Sequence, residues 1–248
     1  MTDLRIGVVA EGPTDQIVMR HLLTAYCKVV RPDIKPIFKD LHPVTDRTSS
    51  GSSEGGWTMV YQWCLNNPPL ARQSQFAGAG LFDGDMDGLT CDIILVHMDA
   101  DICERIRDKS DVKPVPDATA PPAERGDFIR KTILGWLWPT GSEPDDRHIP
   151  APAVEAVEAW LVAAMADDPE PEAVTDILLR LLEVDCLSRG RPFPKDGKAI
   201  RKSRVRYEDI ARRCAGNVAR VAERCPHFLS LANVLFPAHA SPSDRASI

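Results

Sequence analysis

The sequence predicts an α/β fold in which a parallel-rich β-sheet is flanked by helices and followed by a helical C-terminal region. Two apolar runs of strand length, residues 4–10 and 93–98, are rich in β-branched side chains and predict buried strands. Segments with apolar residues at helical spacing follow both runs. Strands that alternate with helices are typical of a sheet whose strands run parallel.

The first predicted strand ends at Glu11, and Gly12-Pro13 then turns the chain into a helix over residues 13–30. In open α/β sheets, ligands gather at the carboxyl ends of the strands, so Glu11 is a candidate site residue. Asp15 lies in the first turn of the helix. The helix dipole alone favours a carboxylate there, so the sequence by itself assigns Asp15 no chemistry.

The second predicted strand ends in Asp99-Ala100-Asp101. Alternation along an extended chain would place Asp99 and Asp101 on one side and Ala100 on the other. Together with Glu11, these carboxylates predict a site for a hard divalent cation, Mg²⁺ or Mn²⁺. Such ions take oxygen ligands and keep waters that a substrate phosphate can displace.

The remaining elements follow from the same patterns. Strands are predicted at 34–38 and 147–150, and helices at 57–65, 126–138, 153–166, 171–183 and, divided by Cys225-Pro226, within 207–236. A mobile loop is predicted at 45–56, a solvated acidic turn at 83–88 and a loop or lid at 108–122. The chain then divides into an α/β core over 1–168, a helical region with a basic segment over 169–237 and a tail over 238–248.

Two glutamates mark the predicted helix over residues 153–166. Glu155 and Glu158 lie three residues apart and so would share a face. A charge pair on a helix is usually a solvated surface, which is our interpretation of Glu155. Glu158 lies beside Trp160 in an apolar sequence, and we interpret it as a group that completes the metal cluster or acts in acid–base chemistry.

A one-sided row of cations covers residues 189–206, where Lys and Arg side chains stand against Asp196 alone. Such a row between two helices suits a phosphate backbone, although a solvated basic loop is a competing interpretation. The residues expected to contact nucleic acid are Arg191, Lys195, Arg201, Lys202 and Arg204.

Composition limits the class of protein. A net charge of -6 argues against a bulk electrostatic nucleic-acid binder such as a histone-like protein, while a local basic groove is compatible with it. The 7 Cys are scattered without a Cys-x-x-Cys pair, and no apolar run approaches the roughly 20 residues that span a bilayer. These features predict reduced thiols, a cytoplasmic location and no membrane partner.

Three short motifs occur in order along the chain: Glu11-Gly12-Pro13-Thr14-Asp15, Glu158-Ala159-Trp160-Leu161 and Cys225-Pro226-His227-Phe228. With an early strand ending in Glu-Gly and a later one ending in Asp-x-Asp, the chain resembles the Toprim-domain family. That family includes topoisomerases, primases and overcoming-lysogenization-defect (OLD) nucleases. More narrowly, the chain is similar to the small stand-alone Toprim-like proteins catalogued as DUF4276, and the resemblance spans nearly its whole length.

The resemblance implies a Toprim, Rossmann-like fold and a metal-dependent nuclease that hydrolyses DNA or RNA, such as tRNA. It also implies a role in bacterial defence against phage, beside a separate ATPase partner. The metal ligands it implies are Glu11, Asp15, Asp99 and Asp101. The catalytic residues are Glu11, Asp99, Asp101, Glu158 and a downstream lysine, for which we select Lys198.

Two observations narrow the chemistry. Tyr26, Tyr61 and Tyr207 all lie far from the acids in sequence, which favours hydrolysis over strand passage through a tyrosine. No Gly-x-x-x-x-Gly-Lys-Ser/Thr loop occurs, so the chain is not itself a P-loop ATPase. Two alternatives stay open, a non-catalytic Toprim-like subunit or binding module of a larger complex, and an α/β phosphohydrolase acting on a nucleotide. Assembly into a homo-oligomer also stays open.

Overall fold

The computed structural model describes residues 1–43, 56–76, 90–193 and 202–237. At its centre is a sheet of four parallel strands, β1 (Thr2–Val9), β2 (Ile34–His42), β3 (Ile93–Asp99) and β4 (His148–Ala153), in the order β2-β1-β3-β4. The predicted α/β class with a parallel sheet is thus confirmed. Because parallel strands all end at one edge, the carboxyl ends of β1, β3 and β4 lie side by side.

Helices cover both faces of the sheet. The α-helices of the described residues are α1 (Pro13–Val30), α2 (Trp57–Asn66), α3 (Pro69–Gln73), α4 (Pro122–Leu137), α5 (Glu158–Met165), α6 (Ile177–Ser188), α7 (Arg204–Cys214), α8 (Val218–Arg224) and α9 (Pro226–Leu235). One hydrophobic cluster joins the sheet to α1 and α5–α9, and a second joins it to α2 and α4. Burial on both faces explains why β1 and β3 are continuous apolar runs.

The C-terminal helices belong to the same core as the sheet. Trp160 of α5 and Phe228 of α9 are fully buried, and their ring centroids lie 5.3 Å apart in an edge-on contact. Tyr207 of α7 is also fully buried in this cluster. Trp160 is therefore a core residue, as its apolar surroundings in the sequence predict.

The predicted helix over residues 153–166 is wrong in its first turn, because α5 begins at Glu158. Glu155 has a φ of 59°, in the left-handed region, so it does not share a helix face with Glu158. The reason is a tertiary contact: the Val157 N–H donates a 3.1 Å hydrogen bond to Oδ1 of Asp99. That carboxylate satisfies one of the N–H groups that lack a partner in the first turn of a helix.

Other boundaries also differ. Helix α6 begins at Ile177, later than predicted, after a 3₁₀ turn over Pro171–Ala173 and a left-handed residue, Asp176, with a φ of 56°. A 3₁₀ turn over Ala215–Asn217 separates α7 from α8, so the end of the chain forms three helices instead of two, while the break at Cys225-Pro226 is confirmed. Strands β2 and β4 and helix α4 are longer than predicted.

Four further points complete the fold. Asp101 lies in the 3₁₀ turn Ala100–Ile102, so strand alternation does not place it beside Asp99. The seven cysteines are buried thiols. No helix within the described ranges has both the length and the apolar content that a bilayer crossing requires. The acidic turn predicted at 83–88, and all but the last residue of the loop predicted at 45–56, lie outside the described residues.

Candidate metal centre

The carboxyl ends of β1 and β3 meet through Glu11 and Asp99. The pairing of Val9 with Val96 brings the residues after β1 level with the end of β3. The Asp99 N–H then donates a 2.9 Å hydrogen bond to Oε1 of Glu11. Gly56 fixes Glu11 from the other side, since its N–H donates to the Glu11 carbonyl at 3.1 Å. Gly56 has a φ of 94°, which explains a glycine at this position.

Asp99 and His97 lie on the same side of β3, two residues apart. His97 is completely buried, and its Nδ1 lies 2.8 Å from the Ala151 carbonyl oxygen of β4. Because a carbonyl accepts and does not donate, Nδ1 carries a proton in this contact. The other ring nitrogen, Nε2, lies 3.3 Å from Oδ1 of Asp99 without an aligned hydrogen bond. Nε2 therefore faces a carboxylate and needs either a proton or a cation.

Asp15 approaches the same point from the first turn of α1. One ligand atom from each of Asp15, His97 and Asp99 lies within 4.8 Å of the other two, and all three residues are buried. A cation about 2.1–2.4 Å from each of its ligands holds them at most about 4.8 Å apart. These three side chains therefore fit a single ion, and we call them the Asp15–His97–Asp99 centre.

Burial and mutual repulsion disfavour the ionised forms of Glu11 and Asp15. Burial, and then the negative charge of Asp99, raise the pKa of Glu11 to about 8 and that of Asp15 to about 7. Burial lowers the pKa of His97, but the contact with Asp99 and the nearby acids outweigh it and raise this pKa to about 9. A bound divalent cation would reverse these shifts, because it favours ionised carboxylates and a neutral imidazole.

A cavity of about 480 Å³ opens beside the centre. Its polar lining comprises Asp99, Asp101, Glu155, Asp176 and Lys202, and its apolar wall includes residues 177–179 of α6. Desolvation and the charge of Asp99 raise the pKa of Asp101 to about 6, although Asp101 keeps an exposed side at the rim. The volume falls within the range of roughly 300–1,000 Å³ that is usual for ligand sites.

Arg125 of α4 contacts Glu155, one of the residues that line this cavity. Its guanidinium forms an ion pair with the Glu155 carboxylate and donates a 3.1 Å hydrogen bond to the Ala120 carbonyl. The Glu155 carbonyl in turn accepts a 3.3 Å hydrogen bond from the Asp101 N–H. Glu155 therefore has a partner and a fixed backbone, which differs from the solvated surface position that the sequence predicts.

Glu158 lies outside the Asp15–His97–Asp99 centre but next to it. Its fully buried Oε1 accepts a hydrogen bond from the Tyr207 hydroxyl and pairs with Nζ of Lys202 at 2.9 Å. Burial lowers the pKa of Lys202, but Glu158, followed by Asp99 and Asp15, raises it above the ordinary value of a lysine. The Lys202 ammonium is thus held as a cation at the rim of the cavity, where α5 meets α7.

The sequence-predicted site residues are brought together in part. Asp15 and Asp99 share the centre with His97, Glu11 is bonded to Asp99, and Asp101 lies at the cavity rim. Lys202 reaches the cavity, whereas Arg204 begins α7 and Arg191 follows α6, both exposed. The positions that lie outside the described residues, so that their roles stay predictions, are Lys195, Lys198 and Arg201.

Sequence reasoning missed two residues of the site, His97 and Tyr207. His97 lies inside an apolar run that predicts a buried strand. A signal was present, because a buried imidazole requires partners and His97 lies two residues before Asp99, on the same strand face. Tyr207 carries no such signal, since its contact with Glu158 spans 49 positions and depends on how α7 packs.

No protein-family model, curated protein or solved structure matched this chain. The functional argument therefore depends on the geometry of the site, and the Toprim assignment stays a prediction.

Proposed function

We propose that this protein is a metal-dependent phosphodiester hydrolase that acts on nucleic acid, with the metal held by Asp15, His97 and Asp99. One observation carries the proposal. Nε2 of a completely buried histidine faces two buried carboxylates, and its other nitrogen is already bonded to a main-chain carbonyl. Histidines that bind metals usually donate their second N–H to a carbonyl or carboxylate in this way.

The donor set bears on the choice of metal. Oxygen ligands alone suit Mg²⁺, whereas an imidazole nitrogen suits transition metals. With two carboxylates and one imidazole, the Asp15–His97–Asp99 centre favours Mn²⁺ over Mg²⁺. When bound, the metal would polarise a phosphoryl oxygen and lower the pKa of a water.

The protein's own groups supply the remaining steps. Glu11 accepts a hydrogen bond from the Asp99 N–H and so fixes the end of β3, the strand that carries His97 and Asp99. Asp101 lines the cavity beside Asp99 and is placed to accept a proton from an attacking water. Lys202, held by Glu158, stabilises the negative charge that builds on the phosphoryl group.

The biological role rests on the resemblance to Toprim nucleases. By that resemblance the substrate is DNA or RNA, such as tRNA, and the enzyme is the effector of a bacterial anti-phage system beside a separate ATPase. The grouping of Asp15, His97 and Asp99 beside a cavity that Lys202 also lines supports hydrolysis as the activity of the effector.

Cleavage assays test the proposal. The purified protein is incubated with Mn²⁺, Mg²⁺ or EDTA and with plasmid, tRNA, nucleotides or bis(p-nitrophenyl) phosphate, a small phosphodiester. We expect Mn²⁺-dependent cleavage of nucleic acid that Asp99→Asn abolishes. The matched control is Asp127→Asn, which removes an exposed carboxylate of α4 that pairs with Arg130 and Lys131. Cleavage of nucleotides alone would support a nucleotide phosphohydrolase instead.

One observation favours the rival, a non-catalytic Toprim-like module. Lys202 already places a positive charge near the carboxylates, and a protonated His97 would add a second. If these two cations suffice, the centre needs no metal. Calorimetry that detects no binding of Mn²⁺ or Mg²⁺, together with no cleavage of any substrate, would support that rival.

A further inference from the structure

A cationic groove of about 540 Å³ lies between α1 and α7, outside the cavity of the metal centre. Helix α1 contributes Arg20, His21, Thr24 and Lys28 to its walls, and α7 contributes Arg212. Arg20, Thr24 and Lys28 follow one another at intervals of four residues, so they form a single stripe along α1. We call this feature the α1–α7 groove.

The two helices that line the groove also begin beside the metal centre. Helix α1 begins two residues before Asp15, and α7 begins two residues after Lys202, so both helices start beside the centre. They run in the same direction, because His21 pairs with Glu208 in the first half of α7 at 2.7 Å, and Lys28, later in α1, lines the groove together with Arg212, later in α7. The groove therefore leads away from the reacting atoms.

The charge of this path is positive in a protein whose net charge is -6. Lys28 in the groove and Arg204 at the start of α7 have no carboxylate partner within the described residues. Arg212 is 68% exposed and lies 3.7 Å from Glu208, a distance too long for a strong pair. Arg20 pairs with Asp40 at 2.8 Å and keeps 44% of its side chain exposed. The cations outnumber the carboxylates, and they are accessible.

We propose that the α1–α7 groove binds the phosphate backbone of the nucleic-acid strand whose scissile phosphodiester lies at the metal centre. The inference rests on the proposed function and adds a binding surface to it. From Arg204 to Arg212 the helix rises about 12 Å, at about 1.5 Å per residue. At about 3.4 Å per stacked nucleotide, this length holds three to four nucleotides beyond the reacting one.

A role in helix stability could also explain these cations, and the test must distinguish it from a role in nucleic-acid binding. Lys28 and Arg212 lie in the last turns of α1 and α7, where the helix dipole favours positive charge. A role limited to helix stability would lower the melting temperature of a charge-reversed variant and leave its nucleic-acid affinity unchanged. A role in binding would lower the nucleic-acid affinity of the variant, whatever the change in its melting temperature.

The experiment compares two doubly substituted proteins. The groove variant is Lys28→Glu with Arg212→Glu, and the matched control is Arg130→Glu with Lys131→Glu on α4, which changes the net charge equally. Binding of fluorescent single-stranded DNA and RNA, 2 or 8 nucleotides long, is measured by anisotropy in EDTA at several salt concentrations. Hydrolysis of bis(p-nitrophenyl) phosphate, which is too small to reach the groove, is measured in parallel with Mn²⁺.

We expect the groove variant to bind the 8-nucleotide strand about 25-fold more weakly at 0.1 M salt. That figure corresponds to the loss of two phosphate contacts, each of which contributes about 0.7 to the slope of log K against log[salt] for a single strand. Binding of the 2-nucleotide strand and hydrolysis of the small diester should match those of the control. Equal affinity and salt slope in the two variants overturn the groove and leave the hydrolase intact. If no substrate is cleaved, the hydrolase proposal fails, and the anisotropy series still decides the groove.

Discussion

The Asp99 N–H donates a 2.9 Å hydrogen bond to Oε1 of Glu11. This bond joins the end of β3 to the loop that follows β1. This bond makes the two candidate acids one structural unit. Glu11 contributes two properties here, a negative charge and a hydrogen-bond acceptor. Different substitutions can remove one or both of them.

We therefore predict different results for two substitutions of Glu11. Glu11→Gln keeps an oxygen acceptor for the Asp99 N–H and removes a charge whose burial is unfavourable, so the metal-free protein should be as stable as the wild type or more so. Glu11→Ala leaves the N–H without its partner and should cost about 1–3 kcal/mol in the free energy of unfolding. Urea denaturation in EDTA measures both. Equal destabilisation by the two substitutions would contradict the structural role of the bond.

Stability should depend on pH in an unusual direction when no metal is bound. The pKa of Glu11 rises from 4.5 to about 8 on folding, and that of Asp15 from 3.8 to about 7, so the folded state binds more protons than the unfolded state between about pH 4 and 8. His97, with a pKa raised to about 9, acts in the same direction up to that pH. The free energy of unfolding contributed by these groups is therefore full at low pH and is lost as pH rises.

Melting curves from pH 5 to 9, recorded in EDTA and in Mn²⁺, measure this dependence. We expect the melting temperature in EDTA to fall with rising pH, and Mn²⁺ to reverse the fall, because the metal binds the ionised carboxylates and neutral imidazole that high pH favours. Glu11→Gln should flatten the curve in EDTA. A melting temperature that rises with pH in EDTA and ignores Mn²⁺ would argue against the centre.

His97 should set the preference for the metal. His97→Asn removes the nitrogen that faces Asp99 and Asp15, and we expect it to weaken Mn²⁺ binding about tenfold or more while weakening Mg²⁺ binding less. Isothermal titration calorimetry measures both affinities without reference to activity. His227→Asn is the matched control, since His227 pairs with Glu172 away from the centre. Equal losses for both metals would show that His97 acts on the fold and not as a ligand.

Tyr207 should act through Glu158 and Lys202. Tyr207→Phe removes the hydroxyl that donates to the buried Glu158 carboxylate, which should cost about 1–3 kcal/mol of stability. It also leaves the carboxylate that pairs with Lys202 less firmly fixed. Tyr26→Phe is the matched control, because the Tyr26 hydroxyl donates to Asn233 in an exposed position. If Lys202 stabilises the transition state, Tyr207→Phe should lower kcat more than it changes KM. Loss of stability at an unchanged kcat would restrict Tyr207 to a structural role.

Asp185 should anchor α6 to α7. Its buried carboxylate accepts hydrogen bonds from Arg189, Arg206 and Arg213, which lower its pKa against the effect of burial. Asp185→Asn removes this partner from three cations. Because each arginine side chain is about one third exposed, and Arg189 and Arg213 also pair with Asp209, we expect a cost of about 1–3 kcal/mol in urea denaturation. The exposed Asp127→Asn should cost less than about 1 kcal/mol. Since the pKa of Asp185 is lowered, its contribution is full above the unfolded pKa and is lost as pH falls through the folded one.

Much of the fold and part of the site followed from the sequence. The β-branched runs, the turn at Gly12-Pro13 and the alternation of strands with helices are local patterns, so β1, β3 and α1 were predicted close to their observed bounds. A parallel sheet alone predicts that Glu11 and Asp99 lie at the same edge, whatever the packing of the side chains. Local patterns determined these features because each depends on residues near one another in the chain.

The rest was decided by contacts between distant residues. The Asp99 carboxylate moves the start of α5 to Glu158, the Ala151 carbonyl sets the proton of His97, and the packing of α7 brings Tyr207 and Lys202 to Glu158. Apart from the position of His97 two residues before Asp99, none of these contacts has a signature in the residues that flank it. By itself, therefore, the sequence determined the α/β class and which acids follow the strands. The tertiary structure decided which ligand atoms lie together, because burial and hydrogen bonding between distant residues are fixed only when the helices and strands pack.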